Sequence, residues 1–257
     1  MGEGQWSRFG QDLKASLQSG GFSNAPALPD EADISPLPDH ELVEITMALP
    51  ELAFQVHMLR NDPLYERYSA SDRRSIIEQG ESCGIEYAHR VLDLGLDWRH
   101  TLSHYGIEYD EQTRPVAADR VTFAQYVEPN KMTVFTDTLG KYRRFSAVKG
   151  QPHDMDVDTL RRVLIGHELF HHLEHLDERT VVTRNTRIET HRLGPLRLTS
   201  RPSSMSEIAA MAFAREWAGI DYSPNVYDVL LMQLYEPKAA ALVLDDIREG
   251  YREYLAG

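Results

Sequence analysis

The sequence has very little cysteine and no excess of positive charge. Cys83 is the single cysteine among 257 residues, so no disulfide can form within the chain. This excludes the small disulfide-stapled scaffolds of secreted proteins. Lys and Arg number 27 against 40 Asp and Glu, for a formal net charge of −13. A general binder of nucleic acid or of an anionic membrane needs a basic surface, so the composition argues against both classes.

Long apolar runs are also missing. No stretch approaches the roughly 18 consecutive apolar residues that a transmembrane helix needs. Residues 1–20 are polar and lack the apolar centre of a secretory signal. We therefore expect a cytoplasmic protein with no membrane partner. The chain can still bury a sizeable core, because 42% of its residues are hydrophobic.

Proline marks a candidate linker near the N-terminus. Pro26, Pro29, Pro36 and Pro38 lie among small residues, which predicts an N-terminal extension over residues 1–38. Residues 39–257 predict a single domain, and most of its segments have helical periodicity. Helices are expected near residues 39–49 with Asp39 as the cap, and over 51–60, 71–94, 98–105 and most of 223–257.

Residues 120–136 change from helical to strand periodicity. Residues 120–127 alternate and are rich in β-branched and aromatic side chains, residues 128–131 contain a proline turn, and residues 132–136 repeat the strand pattern. The segment predicts a β-hairpin. The fold class expected from the whole chain is therefore α+β, mainly α-helical, with a small antiparallel sheet.

A metal-binding pattern follows the hairpin. His167-Glu168-x-x-His171 lies in a helical segment, and residues four apart share one helix face, so both imidazoles can reach one ion. Glu168 is offset by one residue, which directs its carboxylate toward water rather than toward the ion. Leu160 and Leu164 continue the same stripe, so the inward face runs from apolar to imidazole. The competing interpretation is a polar helix with an exposed cluster of histidines.

A catalytic zinc usually has three protein ligands and an open fourth position. His175 continues the helix, but it lies more than two turns from His167. Glu207 begins a second helix, capped by Ser203 or Ser204 and rich in alanine. The residues alone leave Glu207 open, because the helix dipole also favours an acidic residue in a first turn.

The two segments together resemble the ImmA/IrrE family of zinc metallopeptidases. The matching residues are His167-Glu168-x-x-His171 and Glu207-x-x-Ala210-x-x-Phe213-Ala214, and the resemblance covers about residues 80–220. It implies a zincin-like metallopeptidase domain of the gluzincin type, with the hairpin beside the metal helix. It also implies His167, His171 and Glu207 as Zn²⁺ ligands and Glu168 as the general base.

The function expected on this basis is a zinc-dependent metallopeptidase that hydrolyses a peptide bond in a protein substrate. Family members that cleave a repressor suggest a regulatory protein as that substrate. The alternatives are a hydrolase of non-peptide amides and a non-catalytic binding or regulatory protein with a structural or vacant metal site. A fourth protein ligand, such as His175 or Cys83, would favour the non-catalytic protein.

Several side chains around the site stay unassigned at this stage. Candidates for stabilising the oxyanion are Tyr222, Tyr227, His172 and Arg192, and candidate partners of the ligand histidines are Glu174 and Asp177. The connector between the two helices is rich in arginine, with strand character at residues 180–183 and 196–198. It is either a basic flap that recruits an acidic substrate or a solvated hairpin whose arginines pair with the protein's own carboxylates.

Overall fold

The computed structural model describes residues 37–113, 123–146, 155–194 and 196–257. Nearly all of the predicted extension over residues 1–38 lies outside these residues. The helices are α1 (Asp39–Met47), α2 (Glu51–Arg60), α3 (Ala70–Leu92), α4 (Trp98–His104), α5 (Thr136–Ser146), α6 (Val157–Leu176), α7 (Val182–Asn185), α8 (Ser204–Ala218), α9 (Val226–Tyr235) and α10 (Pro237–Ala256). The expected mainly helical architecture with a small sheet is confirmed.

Local sequence explains most of the helix boundaries. Pro50 separates α1 from α2, and α3 begins with a capping box between Ser69 and Asp72. Asp156 caps α6 by accepting a hydrogen bond from the backbone N–H of Thr159. Asp39 does not cap α1 as expected. It is the first helical residue, and Pro38, which has no side-chain acceptor, occupies the cap position.

The sheet is mixed rather than antiparallel. Strands β2 (Ala124–Val127) and β3 (Lys131–Phe135) form the predicted antiparallel hairpin, although residues 120–122 of that prediction lie outside the described part. Strand β1 (Glu108–Gln112) joins the other edge of β3 in parallel, giving the order β1-β3-β2. Strand β2 is therefore an edge strand, and it lies against α6.

The arginine-rich connector contains a separate hairpin. Strands β4 (Ile188–Leu193) and β5 (Leu196–Ser200) pair antiparallel, which agrees with the strand expected at residues 196–198. The prediction of a strand at residues 180–183 is wrong, because a turn ends at residue 180 and helix α7 begins at Val182. Thr183 of this short helix is fully buried, so tertiary packing has overridden the β-branched composition.

Helix α8 is central, because it packs on α3 along one face and on α6 along another. A Cβ atom on Gly84 of α3 would lie 2.1 Å from the Ala209 carbonyl oxygen of α8, so only glycine permits this approach. On the other face, Gly166 of α6 lies against Ala214 and Trp217. These contacts place the first turn of α8 beside the middle of α6.

No single helix in the described ranges is long and apolar enough to cross a membrane. Helices α1 and α2 meet the length and composition criteria only as a pair, and they meet at a bend of 94°. Both helices contribute fully buried side chains to the core, among them Leu42, Ala53 and Leu59.

Candidate metal centre

His167 and His171 lie one helical turn apart on the face of α6 that is turned toward α8. Their Nε2 atoms are 3.1 Å apart, and their side chains are only 12% and 17% exposed. The interpretation as an exposed histidine cluster is therefore wrong for this pair. Two nitrogens bound to one Zn²⁺ at about 2.0–2.1 Å with a tetrahedral angle would be about 3.4 Å apart, close to the observed separation.

Glu207 completes the group from the first turn of α8. Its Oε2 atom is 3.5 Å from His167 Nε2, and its Oε1 atom is 3.8 Å from His171 Nε2. One ligand atom from each of the three residues lies within 4.8 Å of the others. The helix dipole would favour a carboxylate here, but it does not account for a carboxylate directed at two imidazoles.

The chemistry of these donors fits a divalent metal ion. Two imidazole nitrogens and one carboxylate oxygen form a borderline donor set that suits Zn²⁺ and several other first-row ions. The cluster of His167, His171 and Glu207 could therefore bind a metal ion.

The charges around the cluster also favour a cation. Burial and the neighbouring His171 hold the pKa of His167 well below its usual value. Burial acts to lower the pKa of His171 as well, but Glu207, Glu174 and Glu168 outweigh it and raise that pKa to about 9. Three carboxyl groups around two imidazoles thus make a pocket that stabilises positive charge.

Glu168 is close to the cluster without belonging to it. Its residue surface is 3% exposed, and burial raises the pKa of its carboxyl group to about 7, with Glu207 adding to the rise. The backbone N–H of Tyr126 in edge strand β2 donates a hydrogen bond to this carboxyl group. A carboxyl group that titrates near neutrality can both accept and release a proton.

Glu174 lies behind His171, one turn further along α6. Its Oε2 atom is 3.9 Å from His171 Nδ1 and 3.2 Å from Arg184 Nε, while the hydroxyl of Thr183 donates to its Oε1 atom. Glu174 is thus the acidic partner of a candidate ligand histidine, and Asp177 is not. Asp177 instead accepts a hydrogen bond from the Tyr87 hydroxyl at 2.8 Å.

Asp62, which the sequence did not indicate, holds the start of α8. Its Oδ2 atom accepts hydrogen bonds from the Ser203 hydroxyl, the Ser204 hydroxyl and the Ser204 backbone N–H at 2.9–3.0 Å. Its Oδ1 atom accepts from Leu64 N–H and the Tyr68 hydroxyl. Ser203 occupies the cap position of α8 as expected, but its side chain makes no capping hydrogen bond. Both serines instead donate to Asp62, which satisfies the helix terminus.

The other candidate ligands are occupied elsewhere. His175 Nδ1 is 3.2 Å from Glu128 Oε1 and takes no part in the cluster. Cys83 is buried, and burial raises the pKa of its thiol to about 12, so it is an inert thiol. Neither residue supplies a fourth protein ligand.

The four candidate oxyanion donors also differ in placement. His172 contacts the Tyr126 hydroxyl at 3.0 Å and the Tyr105 carbonyl oxygen at 3.2 Å. The hydroxyls of Tyr222 and Tyr227 lie 2.7 Å apart, and Tyr227 lines the cleft described below. The side chain of Arg192 lies outside the described part of the chain.

Two of the described connector arginines pair with the protein's own carboxylates, whereas Arg201 lines the cleft described below. Arg184 lies 3.2 Å from Glu174 and 3.8 Å from Glu128, and Arg197 lies 3.5 Å from Glu189. These pairs favour the interpretation of a hairpin whose arginines meet the protein's own carboxylates.

The cluster opens into a cleft of about 590 Å³. Its polar lining includes the three candidate ligands and Glu168. Its apolar lining includes Met58, Phe123, Leu164, Met211 and Leu231. A volume of this size accommodates several side chains of a peptide segment or one small molecule.

No family model, curated protein or solved structure matches this chain. The functional argument therefore depends on the geometry and chemistry of the site.

Proposed function

We propose that this protein is a zinc-dependent metallopeptidase with a zincin-like fold of the ImmA/IrrE type. Its substrate would be a protein, and a regulatory protein such as a repressor is the class that the family resemblance suggests. The observation that carries the proposal is the convergence of His167, His171 and Glu207 from two helices, with Glu168 buried beside them.

The ligand set supports a catalytic rather than a structural ion. Structural zinc sites are closed by four protein ligands, whereas catalytic sites have three and leave one position open. In the described ranges, the metal-binding group contains three residues, and neither His175 nor Cys83 joins it. Zn²⁺ bound here would supply Lewis acidity, polarising the scissile carbonyl and activating water.

Glu168 would handle the protons of the reaction. Its carboxylate accepts a proton from the attacking water and later delivers it to the nitrogen of the leaving amine. The hydrogen bond from the Tyr126 N–H fixes one side of the carboxylate, and burial keeps its pKa near 7 rather than near 4.5. Such a group passes a proton in either direction with little free-energy difference at neutral pH.

His171 would be held for metal binding by Glu174. A histidine that binds a metal through Nε2 carries a proton on Nδ1, and a carboxylate facing that proton orients the ring and raises its basicity. Glu174 faces Nδ1 and is itself fixed by Arg184 and Thr183. This arrangement favours the ring orientation that a metal site needs.

The test is a cleavage assay on the zinc-loaded full-length chain with a proteome-derived peptide mixture, read by mass spectrometry. Wild type should cleave a defined set of peptides. Glu168→Gln should retain one zinc per chain and lose cleavage by at least about 10²-fold. Glu178→Gln, the same change at an exposed position nearby, should cleave like wild type. If Glu168→Gln cleaves as well as wild type, the proposed role of Glu168 is wrong.

A further inference from the structure

Asp228, in the first turn of α9, lines the same cleft as the metal-binding group. It lies close enough to Glu207 for the two carboxyl groups to interact electrostatically. The Asn225 side-chain amide donates a hydrogen bond to Asp228 Oδ2 at 3.0 Å. Within the described ranges, no Lys, Arg or His lies within ion-pair distance of this carboxyl group.

The other acidic side chains of the cleft have their charge offset or have a proposed role. Asp62 accepts five hydrogen bonds. Glu128 pairs with His175 and Arg184, and Glu174 pairs with Arg184. Apart from Asp228, the remaining acidic side chains are Glu168, the proposed base, and Glu207, the proposed third ligand. Asp228 is thus the cleft carboxylate for which the described protein provides neither a cation nor a role in the reaction.

Asp228 is only partly exposed in the cleft. Burial, with a smaller contribution from Glu207, raises the pKa of Asp228 to about 7, although the Asn225 hydrogen bond acts to lower it. The dipole of α9 favours an acidic residue in its first turn. The dipole would favour an acidic side chain that faces bulk water just as much, so it does not explain why Asp228 lines the cleft. A positive charge arriving from outside would offset the desolvation of this carboxylate.

The surroundings of Asp228 match a long basic side chain. Leu231 lies three residues further on the same helix and lines the cleft, so it shares a face with Asp228. Met58 lines the cleft beside Asn225, with 3.7 Å between its Sδ atom and Asn225 Nδ2. Apolar surface leading to a carboxylate suits the aliphatic stem and terminal charge of lysine or arginine.

We propose that Asp228 is a specificity residue that selects substrates with a lysine or arginine side chain next to the scissile bond. The inference depends on the proposed function, because it assigns a subsite of that cleft. It makes the preferred substrate a basic segment of a protein, in keeping with the net charge of −13 on this chain.

The experiment compares two zinc-binding probes that differ in one charge. Nα-acetyl-lysine hydroxamate and Nα-acetyl-norleucine hydroxamate are titrated calorimetrically into the zinc-loaded full-length chain at pH 8. Wild type should bind the lysine probe about tenfold more tightly. Asp228→Asn should bind both probes equally, with zinc content and affinity for the norleucine probe unchanged. Asp221→Asn, the same change at an exposed position outside the cleft, should keep the preference.

Each other outcome overturns a defined part of the account. Equal binding of the two probes by wild type, or a lysine preference that survives in Asp228→Asn, overturns the specificity role and leaves the hydrolase proposal standing. Loss of zinc from Asp228→Asn also overturns it, because Asp228 would then act on the metal. Failure of both probes to bind zinc-loaded wild type contradicts the proposed function, and the inference fails with it.

Discussion

The two packed faces of α8 differ in the kind of groups that they bury. Against α3, the helix presents small apolar groups so closely that Gly84 could not carry a Cβ atom. Against α6, it presents Glu207 to two imidazoles, and Glu168 is buried nearby. The first interface is close-packed at Gly84. The second buries titratable groups, and the described residues offer no hydrogen-bond partner to the buried Nδ1 atom of His167.

This contrast explains how the fold can tolerate a cluster of buried titratable groups. Burying carboxyl and imidazole groups side by side is destabilising, and a protein tolerates it only where other contacts supply the missing stability. The α3 interface supplies those contacts along the same helix that carries Glu207. The opposite face of α8 can therefore fix the geometry of the cluster of His167, His171 and Glu207.

The largest loss of stability is expected from Gly84→Ala in the close-packed interface between α3 and α8. The new Cβ atom would lie 2.1 Å from Ala209 O and 2.8 Å from Phe213 N, which are backbone atoms that cannot rotate away. The free energy of unfolding should fall by about 3 kcal/mol or more in denaturant titrations. Gly140→Ala is the matched control, because Gly140 also lies in a helix but has no atom within 4 Å of its Cβ position. It should be neutral or slightly stabilising.

A smaller loss of stability is expected from Asp62→Asn. Asp62 contacts the N-terminal end of α8, which belongs to both packed faces. The amide replaces one acceptor oxygen with a donor, so at least one of the five hydrogen bonds becomes a donor–donor clash. Unfolding free energy should fall by about 2 kcal/mol, and zinc should bind more weakly because Glu207 is one turn away. Zinc affinity equal to that of wild type would show that the cap does not position Glu207.

Glu174→Gln should act on the metal face alone. The neutral amide keeps the size of the side chain but orients the His171 ring less strongly, so zinc affinity should fall roughly 10-fold or more. Competition with a fluorescent chelator measures this change. Glu178→Gln serves as the control because its side chain is exposed. Unchanged zinc affinity in Glu174→Gln would remove Glu174 from the account of the site.

The smallest change is expected from Gly166→Ala, in the interface between α6 and α8. Its Cβ atom would lie 3.0 Å from the Trp217 ring and 3.2 Å from Ala214 Cα. Trp217 is only partly buried and can shift by a few tenths of an ångström, so the loss of stability should stay within about 1 kcal/mol. A loss as large as that of Gly84→Ala would contradict the contrast between the two faces.

Local sequence was sufficient for the metal helix but not for its surroundings. The spacing of His167 and His171 depends on neighbours within one turn, so the helix and its candidate ligand pair were predictable. The place of Glu207 was not, because the residues alone allowed an ordinary first-turn carboxylate. Only the family resemblance indicated it as a ligand, and the structure places it at the two imidazoles.

The features that were missed depend on contacts between distant parts of the chain. Asp62 is 141 and 142 residues from the serines that donate to it, and no local sequence pattern indicates such a cap. Strand β1 has the sequence Glu-Tyr-Asp-Glu-Gln, which lacks apolar alternation and is a strand because it pairs with β3. In both cases the tertiary partner, rather than local propensity, determines the structure.

The most direct test of the account is the zinc content of purified wild type, Glu207→Ala and His175→Ala, measured by elemental analysis after zinc loading and dialysis. The account predicts about one zinc per chain in wild type and in His175→Ala, and loss or strong weakening of binding in Glu207→Ala. Wild type without bound zinc would contradict the metal centre itself. Full zinc retention by Glu207→Ala would contradict the role of α8 as the helix that supplies the third ligand.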